Sequence, residues 1–173
     1  ESTGKSMTQF AAKTSVSVEK SRAEIETILA RYGANQFGYA SDSVRGLATI
    51  QFCAKDRHIR FTLNLPSVND KQFMFTEHRR NRRSSESQHE AWEQACRQRW
   101  RALCLCIKAK LEAVECGITE FEAEFMAHIV LPDGGTVGEL MKPQIERAYL
   151  TGDVPNGIAG LLAAPKDLTG GGS

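Results

Sequence analysis

The densest run of chemistry-bearing residues is "HRRNRRSSES", residues 78–87, where Arg79, Arg80, Arg82 and Arg83 stand ahead of a serine stretch. Guanidinium forks match phosphate oxygens, and flexible basic segments commonly order on nucleic acid. The same composition also suits a solvated connector between two packed elements. Phe73 and Phe75 of "KQFMF" come just before the arginines, where they could stack on bases or pin the loop to the core.

Other chemistry is harder to assemble. Cys104 and Cys106 in "CLC" sit about 200° apart on a helix, so they do not converge on one ion, and His58, His78, His89 and His128 are scattered. We expect no metal and no cofactor. No Gly-x-Ser-x-Gly, Cys-His pairing or paired carboxylates stand in a recognisable context. "LPDGGTVGEL" lacks the Gly-Lys-Ser/Thr of a phosphate loop and reads as a turn followed by a helix cap. Glu120, Glu122 and Glu124 suit a helix N-terminus, whose dipole they complement, as well as an acidic edge. These patterns favour a non-enzymatic protein, although a site built from noncontiguous residues leaves no local trace.

The chain has 173 residues, 41% hydrophobic and 25% charged, which fits one domain with one core. With 22 basic and 21 acidic residues the net charge is +1, so any electrostatic recognition must be local. No run approaches the roughly 20 apolar residues of a membrane span, and no signal-peptide order opens the chain. A cytoplasmic location with reduced thiols is the expectation, because the five cysteines are an odd number and three of them sit among apolar residues at helical spacing. Residues 1–13 read as an added leader, with a native start at Met7, and a loose N-terminus. Residues 14–155 form the expected single α+β domain, and 156–173 an irregular, linker-like tail.

The elements follow from periodicity. Ser/Thr with Glu three residues later occurs at Ser21/Glu24, Ser87/Glu90, Thr119/Glu122 and Thr136/Glu139, each ahead of apolar residues at helical spacing. Four helices are expected: Ser21 to Tyr32, ended by Gly33; Ser87 to Cys116, ended by Gly117; "EFEAEFMAHIV", with Phe121, Phe125 and Ile129 inward; and "VGELMKPQIERAYL", kinked or divided at Pro143. Between the first two the period drops to two. "HIRFTLNLP" alternates Ile59, Phe61, Leu63 and Leu65 with His58, Arg60, Thr62 and Asn64, and "VRGLATIQFC" and "NQFGYA" supply two more strands of an antiparallel meander.

On the long helix, Trp92, Cys96, Trp100, Leu103, Ile107, Leu111 and Val114 fall in about a 100° arc and predict the buried stripe. Arg97, Arg101 and Lys108 cluster opposite it. Arg45, Gln51, Arg60, Thr62 and Asn64 would share the polar face of the sheet, a surface suited to nucleic acid and equally ordinary for a one-sided sheet.

The segments "RWRALCLCIKAKLEAVECGITEFEAEFMAHIVLPDGGTVGEL" and "VEKSRAEIETILARYGANQFGY" resemble a family of small uncharacterised bacteriophage and prophage proteins, over about Ser17 to Pro155. The resemblance implies a phage-encoded protein acting inside the host cell on phage or host machinery. Two functions are therefore expected. The first is nucleic-acid binding, to single strand or duplex, in phage DNA metabolism, through the arginine run and the basic helix face. The second is a protein-binding factor that inhibits or recruits a host enzyme or defence component, with "KQFMF" and the basic loop as the recognition element.

Overall fold

A computed structural model describes residues 11, 13–42, 44–76 and 81–152; Arg79 and Arg80 of the arginine run, His78 and the tail from 153 onward lie outside these residues. The fold is α+β, with a three-stranded antiparallel meander of β1 (Gln36–Asp42), β2 (Leu47–Ala54) and β3 (Arg57–Asn64) in the order β1-β2-β3. The β2–β3 connection has only Lys55 and Asp56 between the strands, both with positive φ, at 51° and 58°. That is the geometry a two-residue hairpin needs to match strand twist, and it fixes the register with Cys53 opposite His58 and Gln51 opposite Arg60. The β1–β2 turn is closed by the Asp42 carboxylate, which accepts from the amides of Val44 and Arg45, and by Gly46. Gly46 has φ +65°, and a Cβ there would lie 3.0 Å from the Leu65 carbonyl oxygen, so both backbone angle and space require glycine.

Alternation along the strands decides what each face meets. Ala48, Ile50, Phe52, Ile59 and Phe61 point to one side and are buried, joined there by Ile25 and Leu29 of α1 (Val18–Arg31) and by Trp100, Cys104, Ile107 and Leu111 of α3 (Ser85–Glu115). Phe121 and Phe125 of the short α4 (Phe121–Phe125) close the same core, with Phe125 edge-on to both Phe52 and Phe61. The expected stripe of α3 is the buried one. Leu103 and Val114 pack against its margin, and Trp92 is half-buried with its indole N–H on the Pro66 carbonyl.

Helix starts depart from the capping patterns. Ser17 caps α1 by accepting from the Lys20 amide, so the helix begins at Val18, while Ser21 lies one turn in and is fully buried. Ser84, accepting from the Ser87 amide, starts α3 two residues ahead of Ser87. Glu120 precedes α4 with no side-chain cap, so Thr119 plays no such part. Only Thr136 and Glu139 form the reciprocal box, at the start of α5 (Val137–Thr151). A Ser or Thr can cap only if its backbone turns extended there, and an upstream serine that does so first takes the role.

Two further differences concern the C-terminal half. The expected third helix stops at α4 and a 3-10 turn, Met126–His128; Ile129 and Val130 then run extended beside β3, with the Val130 amide donating to the His58 carbonyl. Their β-branched side chains suit that pairing. Helix α5 passes through Pro143 undivided, since proline removes one amide donor near an exposed face, and ends at Gly152 with φ 74°. A single turn, α2 (Lys71–Met74), lies between β3 and α3.

Candidate functional site

Around the arginine run the described residues form a tight return. Phe75 and Arg82 pair as an isolated bridge, the Arg83 amide donates to the Met74 carbonyl, and Arg83 Nε donates to the Phe75 carbonyl at 3.2 Å. Arg83 is thus occupied in closing the loop. Arg82 is exposed and has no acidic partner among the described residues. Phe73 is 6% exposed and anchors α2 to the body, which leaves Phe75, at 36%, as the ring beside Arg82 that solvent reaches.

The other expected cations are spread over both sides of the molecule, and most hold carboxylates. Arg101 bonds Glu24 across the α1–α3 interface. Arg97 holds Glu93 at 3.5 Å and Gln94 through two of its nitrogens. Arg45 sits in the β1–β2 turn rather than on the sheet face, 3.6 Å from Asp42. Register does place Gln51, Arg60, Thr62 and Asn64 on the outer sheet face, but Arg60 is bound to Glu139 of α5 at 3.1 Å. The Glu139 carboxyl is held below its usual range chiefly by the Thr136 amide it accepts from, and secondarily by Arg60. Lys108 alone on the α3 face is exposed without an ion pair among the described residues. An exposed pair contributes little to stability, yet each carboxylate offsets a positive charge that a phosphate would otherwise meet.

Arg45 and Arg97 do line one cleft, of about 770 Å³, between the start of α1, the β1–β2 turn, the 65–69 segment and α3. Tyr39 and Trp92 supply aromatic walls, but Tyr39 is already covered by the Arg22 guanidinium at 3.6 Å, and Glu19, Asp42 and Glu93 bring acids to the same walls. The charge there is mixed.

A second groove, of about 650 Å³, lies between α4, the 3-10 turn and α5. Its lining is mostly apolar, from Ala123, Met126, Ala127, Val137, Met141 and Ile145, with Lys142 and Glu146 on the α5 side and an ion pair of Lys110 and Glu124, 2.8 Å, opposite. His128 faces it too. Burial, together with Lys110 nearby, pulls the His128 imidazole below its ordinary value, so it is neutral at pH 7 and stacks on Phe61 at 3.9 Å. Helix α5 contributes no buried residue, and Ile145, Tyr149 and Leu150 are 51%, 89% and 86% exposed. No charge cluster or motif marks this groove; the weak signal in the sequence is an amphipathic segment with more apolar residues than one face can bury.

Thiol positions separate cleanly. Cys104 is buried and Cys106 exposed, so the "CLC" pair does point apart, and no group of three His, Cys, Asp or Glu residues is placed to hold an ion among the described residues. A Cys-His pair absent from the motif reading is present, however. Cys53 Sγ lies 3.0 Å from His58 Nδ1, because residues five apart face each other across a two-residue hairpin. No described helix is long and apolar enough to cross a membrane. No protein-family model, curated protein or solved structure matches the chain.

Proposed function

We propose that the protein is a non-enzymatic binding factor whose groove between α4 and α5 receives an amphipathic helix of a partner protein. The carrying observation is α5 itself: 15 residues with none buried, held beside an apolar groove. An isolated helix of this length is marginal in water, and an exposed apolar face at its side is the usual mark of a docking surface. Helix-in-groove recognition needs apolar anchors at helical spacing on the partner and an apolar floor to receive them. In the phage setting that the sequence resemblance implies, the partner is a host or phage protein. Affinity capture from host extract with wild type and with Met141→Glu/Ile145→Glu tests this. A protein retained by wild type and lost by the double variant supports the reading, and retention by both overturns it.

A second reading keeps the arginine run as a phosphate contact, because Arg82 is exposed and unpaired among the described residues, with the Phe75 ring alongside. Binding would then weaken steeply as salt rises, since each neutralised phosphate releases counterion. Replacing Arg79, Arg80 and Arg82 with Ala, and leaving Arg83 to close the loop, should flatten that dependence and leave the melting temperature almost unmoved. Absence of binding to either single-stranded or duplex DNA at low salt removes this reading.

A further inference from the structure

Apart from both recognition surfaces, the outer face of the sheet carries a thiol beside an imidazole. Cys53 Sγ is 3.0 Å from His58 Nδ1 and 3.3 Å from Gln36 Oε1, three side chains from three adjacent strands brought into one row by register. The packing thiols Cys96 and Cys104 lie in the core, where burial pushes both up. Cys106 and Cys116 are exposed, and neither has a histidine within hydrogen-bond reach among the described residues. Among the described residues, Cys53 alone has an imidazole beside its sulfur.

We propose that Cys53 is a thiol-exchange site that reacts with small polar disulfides, with His58 as its general base. The thiolate is the attacking species in such chemistry, and a contacting imidazole is the usual means of generating it. The Sγ proton moves to His58 Nδ1, and Sγ attacks one sulfur of the disulfide. The S–S bond breaks as the new Sγ–S bond forms, and the departing thiolate takes the proton back from Nδ1–H. Cys53 is oxidised to a mixed disulfide and one equivalent of thiol is released, so electrons and protons balance without a further reagent. The Gln36 amide can turn its NH₂ toward the sulfur and donate to the charged form, since either end of an amide fits such a position.

Space for the adduct comes from β1. Gly38, two residues beyond Gln36 along β1 and on the same face, has nothing within 4 Å of where a Cβ would be, and Gln51 opposite it is exposed. Charged neighbours on this side are Arg60, held by Glu139, together with Lys55 and Asp56 in the turn; His58 itself forms no ion pair among the described residues. A small reagent therefore meets an open, weakly charged sheet face. Cys53 is 9% exposed, so access alone would place it behind Cys106 and Cys116.

That inversion supplies the test. The full-length protein is treated with limiting 2-hydroxyethyl disulfide at pH 7, and occupancy of each cysteine is read by peptide mass spectrometry. Cys53 should be modified first, and His58→Gln should slow it roughly tenfold while leaving Cys106 and Cys116 unchanged. If Cys106 and Cys116 lead in the wild type, the proposal fails, and this comparison requires no variant to fold. It also fails if a folded His58→Gln protein reacts at Cys53 as fast as wild type at pH 7.

Discussion

Trp100 shows how far a single side chain can be read. It was placed mid-stripe by helical phase, and it is 2% exposed, with its ring 5.5 Å from Tyr39. Replacing it with Ala removes the largest fully buried side chain and should cost roughly 3–5 kcal/mol in urea denaturation, a large fraction of the stability of a domain this size. Cys104, one turn further along, gives a pH-dependent counterpart. Burial, with Glu24 adding to it, pushes its thiol from 9.0 up to about 11. The folded state therefore favours the neutral thiol: the stabilisation is complete below pH 9 and is lost as pH rises through 11, by roughly 3 kcal/mol. Tyr32, raised by the Glu112 carboxylate, and Cys96 add to the same alkaline loss, so the informative quantity is the difference between proteins. Cys104→Ala should be less stable at pH 8 yet fall less steeply between pH 9 and 11. The ion partners were not legible in this way. Arg101 meets Glu24 across 77 positions and Arg60 meets Glu139 across 79, and no local pattern announces a pair made by tertiary packing.

Elements were legible where the physics is local. Alternation gave the meander, because a strand with one buried face must repeat every second residue, and in the folded chain the two-residue turn fixes the β2–β3 partners. The stripe of α3 followed from the 3.6 period over 31 residues. Helix starts were not legible from the Ser/Thr-x-x-Glu pattern alone, since Ser17 and Ser84 lie close upstream of Ser21 and Ser87 and cap first. The extended run at Ile129–Val130 was hidden for a related reason: "FMAHIV" continues a helical spacing, and the bridge to β3 that overrides it is nonlocal. The one realised capping box makes a quantitative test. Thr136 is 7% exposed, its hydroxyl accepts from the Glu139 amide, and Glu139 returns to the Thr136 amide at 2.7 Å. Thr136→Ala should cost about 1 kcal/mol, and because Glu139 also holds Arg60, the loss should appear as faster amide exchange in α5 before any change in the core strands.

At the scale of the whole molecule, the sheet, α1, α3 and α4 share one core, while α5 is attached from outside, through contacts that include the Arg60–Glu139 pair, the Thr136 cap with its bridge to Val130, the Val137 amide on the Ile129 carbonyl, and the close approach of Gly138 to the 3-10 turn. The groove exists because that approach sets the distance between α5 and Met126–His128. Gly138→Ala places two effects in opposition. In an exposed helix interior, alanine is favoured over glycine by roughly 1 kcal/mol through backbone entropy. Here, a Cβ at position 138 would lie 2.7 Å from the Ala127 carbonyl oxygen and 3.3 Å from the Ala127 Cβ, and a backbone oxygen cannot swing aside as a flexible side chain would. The contact therefore wins, and α5 must move away from the turn. Gly138→Ala should raise amide exchange along α5 and weaken capture of a groove-bound partner, while the pairing amides of β2 and β3 keep their protection, because none of the displaced contacts lies in the shared core. Slower exchange in α5 of the variant would mean that helix propensity outweighs the collision, and that α5 is free to adjust its seat without loss.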